Sequence, residues 1–171
     1  MKRIILALLV FCVLVSCNNE DKKIGAEELA NEATADIETI KEQSIAEIKA
    51  KLVDKGYQVF DYVDEKTNDT TLMQQYFIAF LKRGPIRNQN EEEASKLQNE
   101  HLAHLGKMYE LGYADISGPF GDDGDIKGIT IYNVPTLQMA DSLANADPMV
   151  KAGRLVIEVH PWWAAKGFPL R

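Results

Sequence analysis

The sequence predicts an α+β domain over residues 75–171, an antiparallel sheet carrying two helices on one face. Two observations lead there. Short runs rich in aromatic and β-branched residues alternate with two segments of helical period, in the order strand, helix, strand, strand, helix, strand. Gly or Pro stands at most of the boundaries, which cuts the elements to the lengths of one small domain.

The first strand is Gln75 to Leu81, closed by Lys82-Arg83-Gly84-Pro85. Its nearly unbroken apolar run predicts a central strand buried on both faces. From Glu91 to Leu111 the apolar positions Ala94, Leu97, Leu105, Met108 and Leu111 share one helical face with His101, and Gly112 supplies the stop. Strands follow at Ala114 to Ser117 and Gly128 to Asn133, separated by the turn-forming Gly118-Pro119-Phe120-Gly121-Asp122-Asp123-Gly124-Asp125. A second helix over Thr136 to Ala146 halts at Asp147-Pro148, because the residue before proline is steered out of the helical region. The last strand is Leu155 to His160. This βαββαβ order is that of a ferredoxin-like sandwich. It leaves one sheet face without helices, where Ile129 and Ile131 alternate with Thr130 and Tyr132. A second copy packed face to face, or the amino-terminal helix folded back, would cover it.

Ahead of the domain the chain changes character. Lys2 and Arg3 precede an uncharged run from Ile4 to Val15, too short for the roughly 20 residues a membrane-spanning helix needs. It reads as a cleaved export signal of residues 1–16. Leu14-Val15-Ser16-Cys17 resembles the lipobox of bacterial lipoproteins, in which cleavage falls before the cysteine and its thiol carries the lipid. Residues 17–25 then form a polar tether, 26–56 a long amphipathic helix, and 57–74 an extra strand, Tyr57 to Val63, with a turn. The expected address is the cell envelope, lipid-anchored at Cys17 to a bacterial membrane. Glu20-Asp21 loosely resembles the export tags of some Gram-negative surface lipoproteins, which favours the outer membrane.

Composition removes several functions. The 171 residues hold 19 Lys and Arg against 26 Asp and Glu, a formal charge of -7 that becomes -9 once Lys2 and Arg3 leave with the signal. No basic face is expected for nucleic acid. With Cys12 in the signal and Cys17 lipidated, neither of the two cysteines remains for disulfide or thiol chemistry. Nucleophile elbow, phosphate loop and dinucleotide fingerprint are all missing from the sequence.

Several pieces carry a resemblance when taken in order. They are Phe80-Leu81-Lys82-Arg83-Gly84-Pro85, His101-Leu102-Ala103-His104-Leu105, Gly118-Pro119-Phe120 with Asp122-Asp123-Gly124, Asp147-Pro148-Met149-Val150-Lys151-Ala152-Gly153, and His160-Pro161-Trp162. Tyr76 to Trp162 thereby resembles the YCII-related family, proteins of the dimeric α/β-barrel type within the ferredoxin-like group. The resemblance implies a homodimer and an active site built from a His and an Asp, which carry over onto His101 and Asp147. It also implies lyase, isomerase or dehydrochlorinase-like chemistry.

The residues support a parallel reading. His101 lies on the apolar stripe, so its ring points into the core or a cleft, and a carboxylate at Asp147 on the same sheet face would orient it. His104 is three residues on, whereas a helical zinc pair normally stands at i, i+4 with further ligands, so no metal is expected. Gly118, Pro119 and Phe120 would rim a ligand cleft, and Arg83 at the strand end would clamp a ligand carboxylate. Trp162 and Trp163 fit a core plug or a dimer edge. The expectation is a lipid-anchored envelope protein acting on, or only binding, a small molecule. In the first case His101 does cofactor-free acid/base work; in the second the domain is a non-catalytic ligand-binding or assembly module. A stalk working through the 26–56 helix is a third reading.

Overall fold

The computed structural model describes residues 45–168. The expected signal, the expected lipid site at Cys17, the expected tether and the first part of the expected long helix lie outside the described residues. Helix α1 is described over 45–54, where Gly56, at φ +81°, follows it. Then come β1 (Val59–Val63), β2 (Thr70–Arg83), α2 (Glu91–Glu110), β3 (Ala114–Pro119), β4 (Ile126–Tyr132), α3 (Leu137–Asn145), α4 (Pro148–Lys151) and β5 (Leu155–Ala165). No helix among the described residues is long and apolar enough to cross a membrane.

One antiparallel sheet organises these elements, with β2 at its centre. β5 pairs with β2 from Met73 to Arg83 along one edge, while β4 takes Phe77 to Lys82 and β1 takes Thr70 to Gln74 along the other. β3 lies outside β4. From β2 onward the lateral order is β5-β2-β4-β3, consistent with a ferredoxin-like YCII fold.

Two strands run longer than the apolar pattern predicts. β2 begins at Thr70 rather than Gln75, because Met73 and Gln74 find partners on both edges, in β1 and at the end of β5. β5 continues past His160 to Ala165 although Pro161 cannot donate to a ladder. Pro161 is tolerated because β5 pairs only with β2 and is an edge strand.

Helix boundaries follow their capping chemistry. Asn90 caps α2 reciprocally with Glu93, three glutamates occupy the first turn, and Gly112 at φ +70° lets the chain leave. Thr136 caps α3. Asp147 then does what the sequence pattern did not predict. It accepts from Met149 N and starts the short helix α4, with Pro148 in the first turn where a missing N–H is harmless.

Register separates the two faces of the sheet. Phe77, Ala79 and Leu81 of β2 lie opposite Tyr132, Thr130 and Gly128. Phe77, Ala79 and Tyr132 pack with Met108 of α2 and with Ala140 and Ala144 of α3 in the main core. Leu81, Met149 and Leu155 form a second cluster, joined by Leu97 of α2. A fully buried side chain such as Phe77 contributes about 1.5–3 kcal/mol. On the opposite face Ile78 and Phe80 pair with Ile131 and Ile129. Phe80 also meets the ring of His160 edge-on.

Candidate active site

Helix α2 carries His101 on its inward face, and the turn between α3 and α4 carries Asp147. The two meet in the interior, where His101 Nδ1 lies 2.6 Å from Asp147 Oδ2. His101 is 8% exposed and Asp147 3%. The other oxygen, Oδ1, accepts from Met149 N at 2.7 Å. Both oxygens of the carboxylate are therefore committed, which fixes its plane. A carboxylate facing Nδ1 requires the proton there, so the free lone pair of a neutral imidazole resides on Nε2. Buried polar groups are retained when bonded in this way; an unpaired one costs about 1–3 kcal/mol.

His101 lines a cleft of about 350 Å³ between α2, the β3–β4 pair and the segment entering β5. That volume falls in the range of small-molecule sites. Leu81, Leu102, Leu105 and Met149 give it apolar walls, while Gln98 and Ser117 supply neutral polar groups. A smaller hollow of about 280 Å³ around Phe77, Pro135 and Pro161 has no ionisable lining residue, so the titratable groups belong to the first.

The sequence-derived candidates divide on this cleft. His101, Gly118 and Pro119 line it, and Asp147 backs His101 from beneath. Arg83 and Phe120 do not line it. Arg83 is the exposed last residue of β2, held by its backbone N–H to the Asp125 carbonyl, and Phe120 is 45% exposed where the β3–β4 connection begins. The cations of the cleft are instead Arg87, Lys127 and Arg154. Sequence reading missed them because Arg87 lies in a polar loop and Arg154 in a tight turn. The available signal was the glycine in front of each segment, Gly84 and Gly153.

Those glycines have a physical reason. A Cβ at Gly84 would stand 2.2 Å from the Gly153 carbonyl oxygen, inside any permitted contact. Gly84 N donates to the Arg154 carbonyl at 2.8 Å and Ile86 N to the Gly153 carbonyl at 3.0 Å. Gly153 itself adopts φ +67°. The two arginine-bearing segments are thus joined through their backbones, and Arg87 Nη1 adds a bond to the Arg154 carbonyl at 3.2 Å.

His104 turns away from the dyad. Its Nε2 donates to the Leu143 carbonyl at 3.1 Å, tying α2 to α3. Burial holds its pKa below the ordinary imidazole value, against the opposing pull of Asp147 and the Leu143 carbonyl. Tyr132 is pushed above the usual phenol range, first by burial and then by the Asp147 charge.

The fold and the site together define an antiparallel α/β domain with a His–Asp pair at the wall of a cleft. The chain belongs to the YCII-related domain family, whose model matches residues 78–163, half of the sequence. No curated protein matches it. Among solved structures it is similar to 5-chloro-2-hydroxyhydroquinone dehydrochlorinase from Burkholderia phenoliruptrix AC1100, in complex with 2,5-dihydroxybenzoquinone. The identity is 23%, the match covers 51% of this chain and 92% of the other, and the TM-score is 0.39.

Proposed function

We propose that the domain performs acid/base chemistry on a small molecule, with His101 as the proton-transfer group and Asp147 as its positioning residue. The observation that carries this reading is the 2.6 Å bond between His101 Nδ1 and a carboxylate fixed at both oxygens, in the wall of a cleft. Nε2 would accept a proton from a substrate carbon or hydroxyl. The resulting imidazolium is then stabilised by Asp147 across the existing bond. In an isomerisation the same proton returns to a different atom. In an elimination the C–H electron pair forms the new double bond and the leaving group departs with its own pair. Neither route needs a cofactor.

The experiment is a thermal-shift metabolite screen on the full chain in detergent, followed by mass spectrometry of each stabilising compound after incubation with wild type and His101→Asn. A ligand stabilises only the state that binds it. The reading requires a compound that both forms bind and only wild type converts. Compounds bound by both and converted by neither would replace it with the ligand-binding module.

The same reading places the chain in the bacterial envelope, anchored through a lipid on Cys17, with residues 1–16 removed, 17–25 as tether and 26–56 as spacer helix. Its support is sequence alone, the uncharged run ending at Leu14-Val15-Ser16-Cys17. An alkyne-tagged fatty acid fed to expressing cells should label wild type and leave Cys17→Ala unlabelled; equal labelling dismisses the anchor. The domain is further proposed to pair with a second copy through the apolar sheet face around Ile78, Phe80, Ile129 and Ile131, which lies opposite the helices.

A further inference from the structure

A chain with seven more acids than bases gathers only bases around its cleft. Arg87, Lys127 and Arg154 line the cavity and no Asp or Glu does. Among the described residues none of the three enters an ion pair. Partial desolvation and the charges of Arg154 and Arg83 together hold Arg87 below the ordinary guanidinium range, as expected for neighbouring cations without a counter-ion.

The donors are also incompletely used. Arg154 Nη1 donates to Gln89 Oε1 at 2.8 Å, and Arg154 Nε is buried with no acceptor. Arg87 Nη1 is bonded to the Arg154 carbonyl. The backbone bonds through Gly84 and Ile86 hold the two arginine-bearing segments together before any ligand arrives. A planar fork with unused N–H groups matches the geometry of a carboxylate or phosphate.

We infer that the molecule acted on in this cleft carries an anionic oxygen group, a carboxylate or a phosphate, held between Arg87 and Arg154 while its neutral part faces His101. The inference rests on the proposed use of the cleft and adds the substrate class. It also moves the carboxylate clamp expected at Arg83 to two residues that line the cavity.

Benzoate, inorganic phosphate and neutral benzyl alcohol are titrated separately into the full chain in detergent, with the Arg Nε–Hε signals followed by NMR. At least one anion should shift the Arg154 Nε–Hε signal saturably, and benzyl alcohol should not. Benzoate alone assigns a carboxylate, and phosphate alone assigns a phosphate group. Arg87→Gln and Arg154→Lys should each weaken that binding roughly tenfold or more, the loss expected for a charge-assisted hydrogen bond. Arg87 is exposed, so its replacement leaves the fold intact and the result interpretable even where the Arg154 variant is unstable. The inference is overturned where neither anion moves the Arg154 signal, or where Arg87→Gln binds as tightly as wild type. His101→Asn separates the two claims. Anion binding that survives this substitution supports the inference whatever becomes of turnover, whereas failure of the dyad appears only in the conversion assay.

Discussion

Asp147 performs two tasks with two oxygens, and replacing it tests both. Oδ1 caps α4 through Met149 N, and Oδ2 receives His101 Nδ1. Asp147→Ala removes the cap, worth about 1 kcal/mol, and strands a buried imidazole donor, worth about 1.5–3 kcal/mol for a charge-assisted bond. The two losses fall on different atoms, so a total of about 2.5–4 kcal/mol is expected. For a chain of this length, at about 2–4 °C per kcal/mol, the melting temperature should fall by roughly 10 °C.

Asp147→Asn divides the two tasks. An amide has one acceptor oxygen, and asparagine caps as well as aspartate. With the oxygen on Met149 N, the NH₂ group faces His101 Nδ1, and only a lone pair on Nδ1 can meet it. The proton must move to Nε2, where it blocks the base. Asp147→Asn should therefore cost only about 1 kcal/mol of stability and invert the imidazole tautomer. Any turnover should drop by about 10²–10⁴, the span of general acid/base contributions. Thermal unfolding and the ¹⁵N shifts of the His101 ring nitrogens read these effects independently. An Asp147→Asn chain that keeps its proton on Nδ1, or an Asp147→Ala chain within about 1 kcal/mol of wild type, would refute the assignment.

Three further outcomes follow from the geometry. Gly84→Ala places a methyl group 2.2 Å from the Gly153 carbonyl oxygen; it should destabilise the fold by about 1–3 kcal/mol or more, measured by urea unfolding, and an unchanged midpoint contradicts the close approach. His104 has a folded pKa below its ordinary value, so its contribution is fully present above about pH 6.5 and is lost as pH falls through the lower folded value. His104→Gln should accordingly flatten the acid side of the stability–pH curve relative to wild type, and parallel curves would contradict it. If the proposed dimer forms, Ile129→Glu on the open sheet face should yield a folded monomer by light scattering with unchanged circular dichroism; a wild type that is itself monomeric, or a variant that remains dimeric, removes this face as the interface.

The order of strands and helices was legible because each element carries its own period and its own stop signal. His101 stood out as the one titratable group on an apolar helical stripe, between Leu97 and Leu105, and Asp147 as the acid where proline ends a helix. Neither observation contains their contact, which depends on α2 and the α3–α4 turn packing over the same end of the sheet. Strand lengths were hidden for a related reason. Polar Gln74 and the proline at 161 belong to strands only because β2 has partners on both edges and β5 has one. Arg87 and Arg154 were hidden most deeply. They lie 67 positions apart, and the close backbone approach at Gly84 and Gly153 is what brings them together. A net charge averages over the whole chain, while a ligand meets the potential of one cleft, where low-dielectric walls strengthen the nearest charges. An acidic composition therefore weakens the case for nucleic acid without weakening the case for a small anion, since the second depends on three placed cations and the absence of a lining carboxylate.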